Sequence, residues 1–250
     1  MNHLISIITP SFNSAEFIES TVNSVIAQTY QNWEMIIVDD NSTDNSVEVI
    51  KRLSQKDDRI KLIKLDENSG AAVARNTAIE NAKGDFLAFL DSDDIWKPFK
   101  LDQQLSFMGS DINFSFTAYE LIDGAGKKLN RQVDNNQTGS FDYKDMLKKK
   151  ATLGCSTVIV RRCAFKDISM PLLRTGQDYA LWLKLLKTGQ KAYVFAKVMG
   201  QYRILANSIS RNKFKKALRQ WQIYRKVEQL SVFNAAICFC FYAWRAIFRK

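Results

Sequence analysis

The chain has 250 residues, 46% of them hydrophobic and 25% charged, a composition that excludes a disordered or fibrous protein and leaves one large domain or two small ones. Its one histidine, His3, excludes a His-rich metal centre, and its four cysteines (Cys155, Cys163, Cys238, Cys240) lack a CxxC spacing and read as reduced packing residues. The net charge of +10 is uneven, because residues 197–250 hold 12 Lys and Arg against the single acid Glu228, while residues 1–196 hold 24 basic and 25 acidic side chains.

In chain order, MNHLISIITPSF has no basic n-region and no small-residue cleavage site, so no signal peptide and a cytoplasmic location are expected. LISIIT (4–9) predicts a short strand ending at Pro10, and Ile18, Val22, Val25 and Ile26 fall at helical spacing within 15–28. EMIIVDD (34–40) predicts a second strand, and NSTDNSVEVIKRLSQ (41–55) a helix with Val47, Ile50 and Leu53 on one face. IKLIKL (60–65) predicts a third strand, and SGAAVARNTAIENAKG (69–84) an Ala-rich helix with Gly84 as its stop. FLAFL (86–90) predicts a fourth strand, and near-continuous apolar strands alternating with helices imply a parallel sheet covered on both faces. Beyond Pro98 the pattern predicts strands at 112–123, 155–160, 191–196 and 200–204, a helix over 177–189, and helix from Asn212 to the end.

Ligands of open parallel sheets bind beyond the carboxyl ends of the strands. Here those ends carry TPSFN, then Asp39 and Asp40, then Asp91, Ser92, Asp93 and Asp94. Neither GxGxxG after the first strand nor GxxxxGK[ST] is present, which excludes a Rossmann fingerprint and a P-loop. Carboxylates repel a bare diphosphate but bind one through a divalent cation, and an all-oxygen ligand set favours Mg or Mn. Asp91 and Asp93, two apart on an extended segment, can address one ion. The alternative is local: Asp, Ser and Asn after a strand also cap helices and form turns.

SIITPSFN…FIESTVNSVIAQTYQNWEMIIVDDNSTDNS, NSGAAVARNTAIENAKGDFLAFLDSDDIWKP and TGQDYALWLKLLKTG together resemble the family 2 inverting glycosyltransferases with the GT-A fold. The resemblance runs over about residues 4–100 and resumes around 154–205, and it is closest to bacterial enzymes of teichuronic acid, O-antigen or capsule assembly. It implies a Rossmann-like, mostly parallel α/β sheet. The nucleotide-sugar half would be 1–100, the acceptor half 101–210 and a basic helical tail 211–250. It implies that Thr9, Pro10, Phe12 and Glu16 line the nucleotide, that Asp40 bonds the base, usually uracil, and that Asn68, Gly70 and Arg75 border the nucleotide or sugar. Asp91 and Asp93 take the DxD positions, with Asp93 most directly on the metal, and Asp178 takes that of the catalytic base. The acid that precedes this base in the family is Gln177 here. The expected reaction moves a sugar from a UDP-sugar, with inversion, to a hydroxyl of a lipid-linked glycan. Two other readings are a phosphatase of the haloacid dehalogenase type, which also uses DxD, and a nucleotide-sugar binder without catalysis.

Local readings stand beside these roles. Asp178 can be a first-turn helix carboxylate, Glu16 and Arg75 solvated helix charges, and Trp33, Trp96 and Trp182 packing residues, although Trp96 can also brace the sugar. In the tail, RNKFKKALRQWQIYRKVE interleaves cations with aromatics, and VFNAAICFCFYAW gives 13 uncharged residues before Arg245, Arg249 and Lys250. That run is shorter than the roughly 20 residues a spanning helix needs. It suits an interfacial helix on an anionic leaflet, with packing on the domain as the alternative. No nucleic-acid-binding motif accompanies the charge.

Overall fold

The computed structural model describes residues 3–205 and 213–248. Strand β1 (Ile5–Ser11) leads to helix α1 (Ile18–Ile26), β2 (Trp33–Asp39), α2 (Ser46–Ser54), β3 (Ile60–Lys64), α3 (Ala71–Glu80) and β4 (Phe86–Phe89). Then come β5 (Ile95–Trp96), α4 (Lys100–Met108), β6 (Phe114–Asp123), β7 (Lys128–Val133), β8 (Ser140–Phe141) and α5 (Tyr143–Leu147). The chain continues through β9 (Ile159–Arg161), α6 (Gln177–Leu186), β10 (Ala192–Ile204), α7 (Lys213–Gln222) and α8 (Val232–Phe248).

All ten strands join one sheet in the order β3-β2-β1-β4-β9-β6-β10-β5, with β7 on β6 and β8 on β10. The sheet therefore spans both expected halves. Its first four strands are parallel, so their carboxyl ends share one rim. The pleat sends Ile5, Ile7, Met35 and Ile37 to the face under α1 and α2, and Ile8, Ile36 and Val38 to the face under α3. Burial on both faces is what made these strands read as unbroken apolar runs.

The second half departs from an all-parallel sheet: β9 runs antiparallel between β4 and β6, and β10 returns parallel to β6. The expected strand 155–160 is half turn, because Cys155–Thr157 form a 3-10 helix in which Thr157 Oγ1 donates to Gly154 O at 2.7 Å. The two expected closing strands are the single β10, whose pairing with β6 shifts register between Phe195 and Gly200. The break in the apolar pattern at 197–199 is thus a bulge rather than a loop. Gly84 does not stop α3, which ends with Asn81 as its cap. It is a close approach to β1, since a Cβ there would lie 2.6 Å from Ser6 N and 2.7 Å from Leu4 O. Ile26, expected on the core side of α1, is 37% exposed.

The tail is two helices rather than one. A π-helical turn over Ile223–Val227 follows α7, and Gln229 at φ +53° turns the chain before α8. Glu228 is buried in this corner, paired with Lys187 Nζ at 2.7 Å and accepting from the Tyr143 hydroxyl. Ile223, Tyr224, Ala235 and Cys238 join the core, so the tail packs on the domain. Arg211, Arg249 and Lys250 lie outside the described residues.

Candidate active site

The acidic loop after β4 is held from several sides. Asp94 is buried and accepts from Ser156 Oγ and from Arg203 N, the latter at 3.0 Å. Ser156 Oγ also accepts from Asp91 N at 3.0 Å. Thr21 of α1 places its hydroxyl 3.0 Å from Ser92 O and 2.8 Å from Asp94 O. Arg203 of β10 donates from Nε to Asp93 O at 2.9 Å and from Nη1 to Gly124 O at 2.9 Å. Asp94 is thus neither a helix cap nor free to meet a ligand. It is the buried tie that fixes the loop, and burial with Asp93 and Asp91 beside it pushes its carboxyl well up.

Asp91 and Asp93 remain half-exposed. Asp91 pairs with Arg75 Nη2. Arg75 is 5% exposed, and its Nε and Nη1 are buried without a partner. The solvated-charge alternative for Arg75 therefore fails. Burial works against its charge, but the carboxylates Asp91 and Asp178 outweigh that and hold the guanidinium protonated. Asp93 is pushed up to about 6, first by burial and then by Asp91, with Arg203 and Arg75 pulling only part of the way back.

The β2 end is tied just as closely. Asp39 accepts from Ser42 N at 2.9 Å and serves the turn into α2. Asp40, 3% exposed, accepts from Ser69 N at 2.7 Å and Gly70 N at 2.8 Å, and Asn68 Nδ2 donates to its carbonyl at 3.1 Å. Gly70 caps α3 at φ +93°, a conformation that favours glycine. Asp40, Asn68 and Gly70 therefore form one corner. Thr9 and Pro10 are buried in β1, in register with Ile37 and Val38, and Thr9 Oγ1 has no partner. Phe12 is 48% exposed just past β1, and Glu16 is exposed with no hydrogen bond or ion pair among the described residues.

Asp178 stands half-exposed in the first turn of α6. Tyr179 and Trp182 anchor that helix: the Tyr179 hydroxyl donates to Met146 O at 2.9 Å, and Trp182 is fully buried. Arg75 feels both Asp91 and Asp178, so the acidic loop and the α6 carboxylate flank one guanidinium. Gln177 is 8% exposed with its Oε1 buried and unpartnered. Trp96 is a packing residue, 2% exposed, with Nε1 donating to Ser156 O at 2.7 Å. Trp33 is likewise buried.

Residues 6–168 match the profile described as Glycosyl transferase family 2. The chain belongs to this family. This glycosyltransferase is 46% identical to the Bacillus subtilis protein TuaG, named for teichuronic acid biosynthesis, over 99% of this chain and 97% of that one. It is 40% identical to the Escherichia coli UDP-Glc:alpha-D-GlcNAc-diphosphoundecaprenol beta-1,3-glucosyltransferase WfgD, covering 89% and 85% of the two chains. Among solved structures, S. aureus TarS 1–349 in complex with UDP superimposes with a TM-score of 0.69 at 25% identity, over 80% of this chain and 60% of that one. The Pyrobaculum calidifontis mannosyltransferase PcManGT, solved with GDP-Man and Mn2+, gives a TM-score of 0.72 at 16% identity over 98% and 70%. The fold is GT-A. The phosphatase reading falls with this membership.

No cluster of three His, Cys, Asp or Glu side chains fit to hold a metal occurs among the described residues. A pair of hard carboxylates, Asp93 crowded by Asp91, still fits a Mg or Mn ion that takes its other ligands from substrate phosphates and water. Asp93 and Asp91 are the residues that would hold it. Arg203, Ser156 and Thr21 were missed from the sequence. Arg203 left one trace, a cation inside the strand pattern GQYRI.

Proposed function

We propose that this family 2 glycosyltransferase moves a sugar from a nucleoside diphosphate donor, with UDP the expected nucleotide, to a hydroxyl of a lipid-linked glycan, with inversion. The setting would be cell-surface polysaccharide assembly at the inner face of the plasma membrane. The observation that carries this reading is the pair of carboxylate groups, Asp91/Asp93 and Asp178, flanking the buried Arg75. The names of TuaG and WfgD support the pathway and the diphosphate-linked acceptor.

Asp40 and the 68–70 corner would take the base, with Thr9, Pro10, Phe12 and Glu16 beside it. Asp93 and Asp91 would hold a divalent cation, which would supply charge neutralisation on the departing diphosphate. Arg75, buried and with two nitrogens unpartnered, adds a fixed positive charge and two donors to that side. Asp178 accepts the proton of the acceptor hydroxyl as its oxygen bonds to the anomeric carbon. The bond from that carbon to the diphosphate oxygen breaks on the opposite face, which inverts the centre. A carboxylate is a weak base for an alcohol, so the proton moves late.

The tail would hold the enzyme at the membrane. Phe233 (74% exposed), Ile237 (38%), Phe241 (40%) and Trp244 (63%) recur at helical spacing along α8, while Ala235 and Cys238 face the core. Among the described residues no helix is long and apolar enough to cross a membrane. An apolar stripe on a helix of a basic tail suits an anionic interface.

The test is a panel of sugar nucleotides with the full chain and Asp178→Asn. Retained donor binding with lost transfer supports the reading. Full transfer by the variant removes Asp178 as the base.

A further inference from the structure

Beside the α6 turn that carries Asp178 lies a cleft of about 410 Å3 lined by Arg174, Thr175, Lys215, Lys216 and Arg219. Four of these five residues are cations, drawn from the loop before α6 and the first turns of α7. Nothing in the donor site uses them. The stem of Arg219 reaches so close to Gly176 that a Cβ there would lie 3.0 Å from its Cδ, and Gly176 holds φ +77°. Helix α7 is thus seated on the residue that caps α6, two positions before Asp178.

The cleft differs from a solvated basic face in two ways. It is concave, and its volume is that of a small-ligand site. Its cations also crowd one another: Lys216 is pushed down, first by burial and then by the neighbouring Arg219. Among the described residues neither Arg174, Lys216 nor Arg219 pairs with a carboxylate, whereas Lys150, Lys184 and Lys187 all do. The amino end of α6 opens next to Thr175 and adds the positive end of a helix dipole. Packing cations together without acids costs free energy unless an anion is bound. A cleft walled largely by the stems of two arginines and two lysines fits a diphosphate together with part of its ester groups. Leu172 (73% exposed) and Leu218 (50%) flank the lining residues in sequence and offer apolar surface to an alkyl stem.

We propose that this cleft binds the diphosphate of the acceptor, an alkyl diphosphate glycoside, and so sets the acceptor sugar against Asp178. The proposal rests on the glycosyl-transfer reading above and adds to it the residues that recognise the acceptor's charged linker. It predicts two separate diphosphate sites in one chain: the donor's at the acidic rim, reached with a metal, and the acceptor's at α7, reached without one.

The test measures binding of inorganic pyrophosphate and of geranyl diphosphate to the full chain by calorimetry, with metal chelated so that the donor site stays empty. Lys216→Ala/Arg219→Ala should weaken geranyl diphosphate by about tenfold or more, and Lys216→Arg/Arg219→Lys should stay within about threefold of wild type. UDP affinity measured with Mn2+ should change by less than about twofold in either variant. Equal geranyl diphosphate affinity in wild type and the alanine variant overturns the proposal. So does competition between UDP and geranyl diphosphate for the cleft, which would give it to the donor. Loss of binding to phosphatidylglycerol vesicles with geranyl diphosphate unchanged also overturns it, in favour of a lipid-surface contact. The readout needs no sugar transfer, so a chain that fails to transfer yet loses geranyl diphosphate in the alanine variant keeps this site while the glycosyl-transfer reading fails.

Discussion

The two sides of the site are built differently. On the proposed donor side, Asp40, Arg75 and Asp94 are buried, and each is fixed by groups from other elements. On the proposed acceptor side, Asp178 is half-buried and has no hydrogen bond or ion pair among the described residues. Lys216 and Arg219 of α7 line a cleft and pair with no carboxylate among the described residues. A nucleoside diphosphate presents the same leaving group in every turnover, so preorganised polar groups serve it best. An acceptor hydroxyl must enter and leave with its own bulky glycan, and a carboxylate left open can meet it. Rigidity on one side and access on the other is the physical division of labour here.

That contrast can be broken by experiment. The largest effect is expected for Asp178→Asn: transfer falls by about a hundredfold or more while the melting temperature and donor binding hold, measured by product formation and calorimetry. A fall in stability would place Asp178 with the locked side. Chelating divalent metal should abolish donor binding and leave folding intact, read by nucleotide titration with EDTA. Asp94→Ala should destabilise the fold by about 2 kcal/mol in urea unfolding, because Ser156 Oγ and Arg203 N lose a buried acceptor. It should also weaken UDP binding through the loosened loop.

Smaller effects sharpen the comparison. Glu34 is buried; burial raises its carboxyl, but bonds from Lys61, Ser6 and Lys83 N outweigh this and hold it below the usual value. A depressed carboxyl contributes stability that is present above its unfolded pKa and lost as pH falls through the folded value. The melting temperature should therefore drop below about pH 4, and Glu34→Gln should flatten that slope. Phe233→Ser/Trp244→Ser should shift stability by no more than about 0.5 kcal/mol while reducing flotation with anionic vesicles. Unchanged flotation removes the membrane role of α8.

The first half of the chain, proposed to bind the donor, was legible because its elements are locally determined. Buried parallel strands read as apolar runs, and α2 read from Val47, Ile50 and Leu53, all buried in the structure. The acceptor half was less so, because its pairings are non-local. Residues 155–160 carry strand-forming Val and Ile, yet Ser156 and Thr157 spend their hydroxyls on side-chain bonds and turn the chain. The bulge in β10 interrupts the alternation that would have marked one strand. In the site, the DxD aspartates stood out by spacing, while the ties that position them (Arg203, Ser156 and Thr21) are ordinary residues in ordinary elements. Gly84 shows the same limit: a glycine after a helix reads as a stop, and only the neighbouring strand reveals the close approach.

The Asp94 tie has a consequence for how the protein is made. Its two partners lie 62 and 109 residues further along the chain. A ribosome delivers β1 to β4 long before it delivers Arg203, so the nascent donor half can pair its strands while its acidic loop is still unset. Nucleotide affinity should then arrive late in synthesis, when β10 closes on β6, and a chain released before that point would be folded in part and unable to grip its donor.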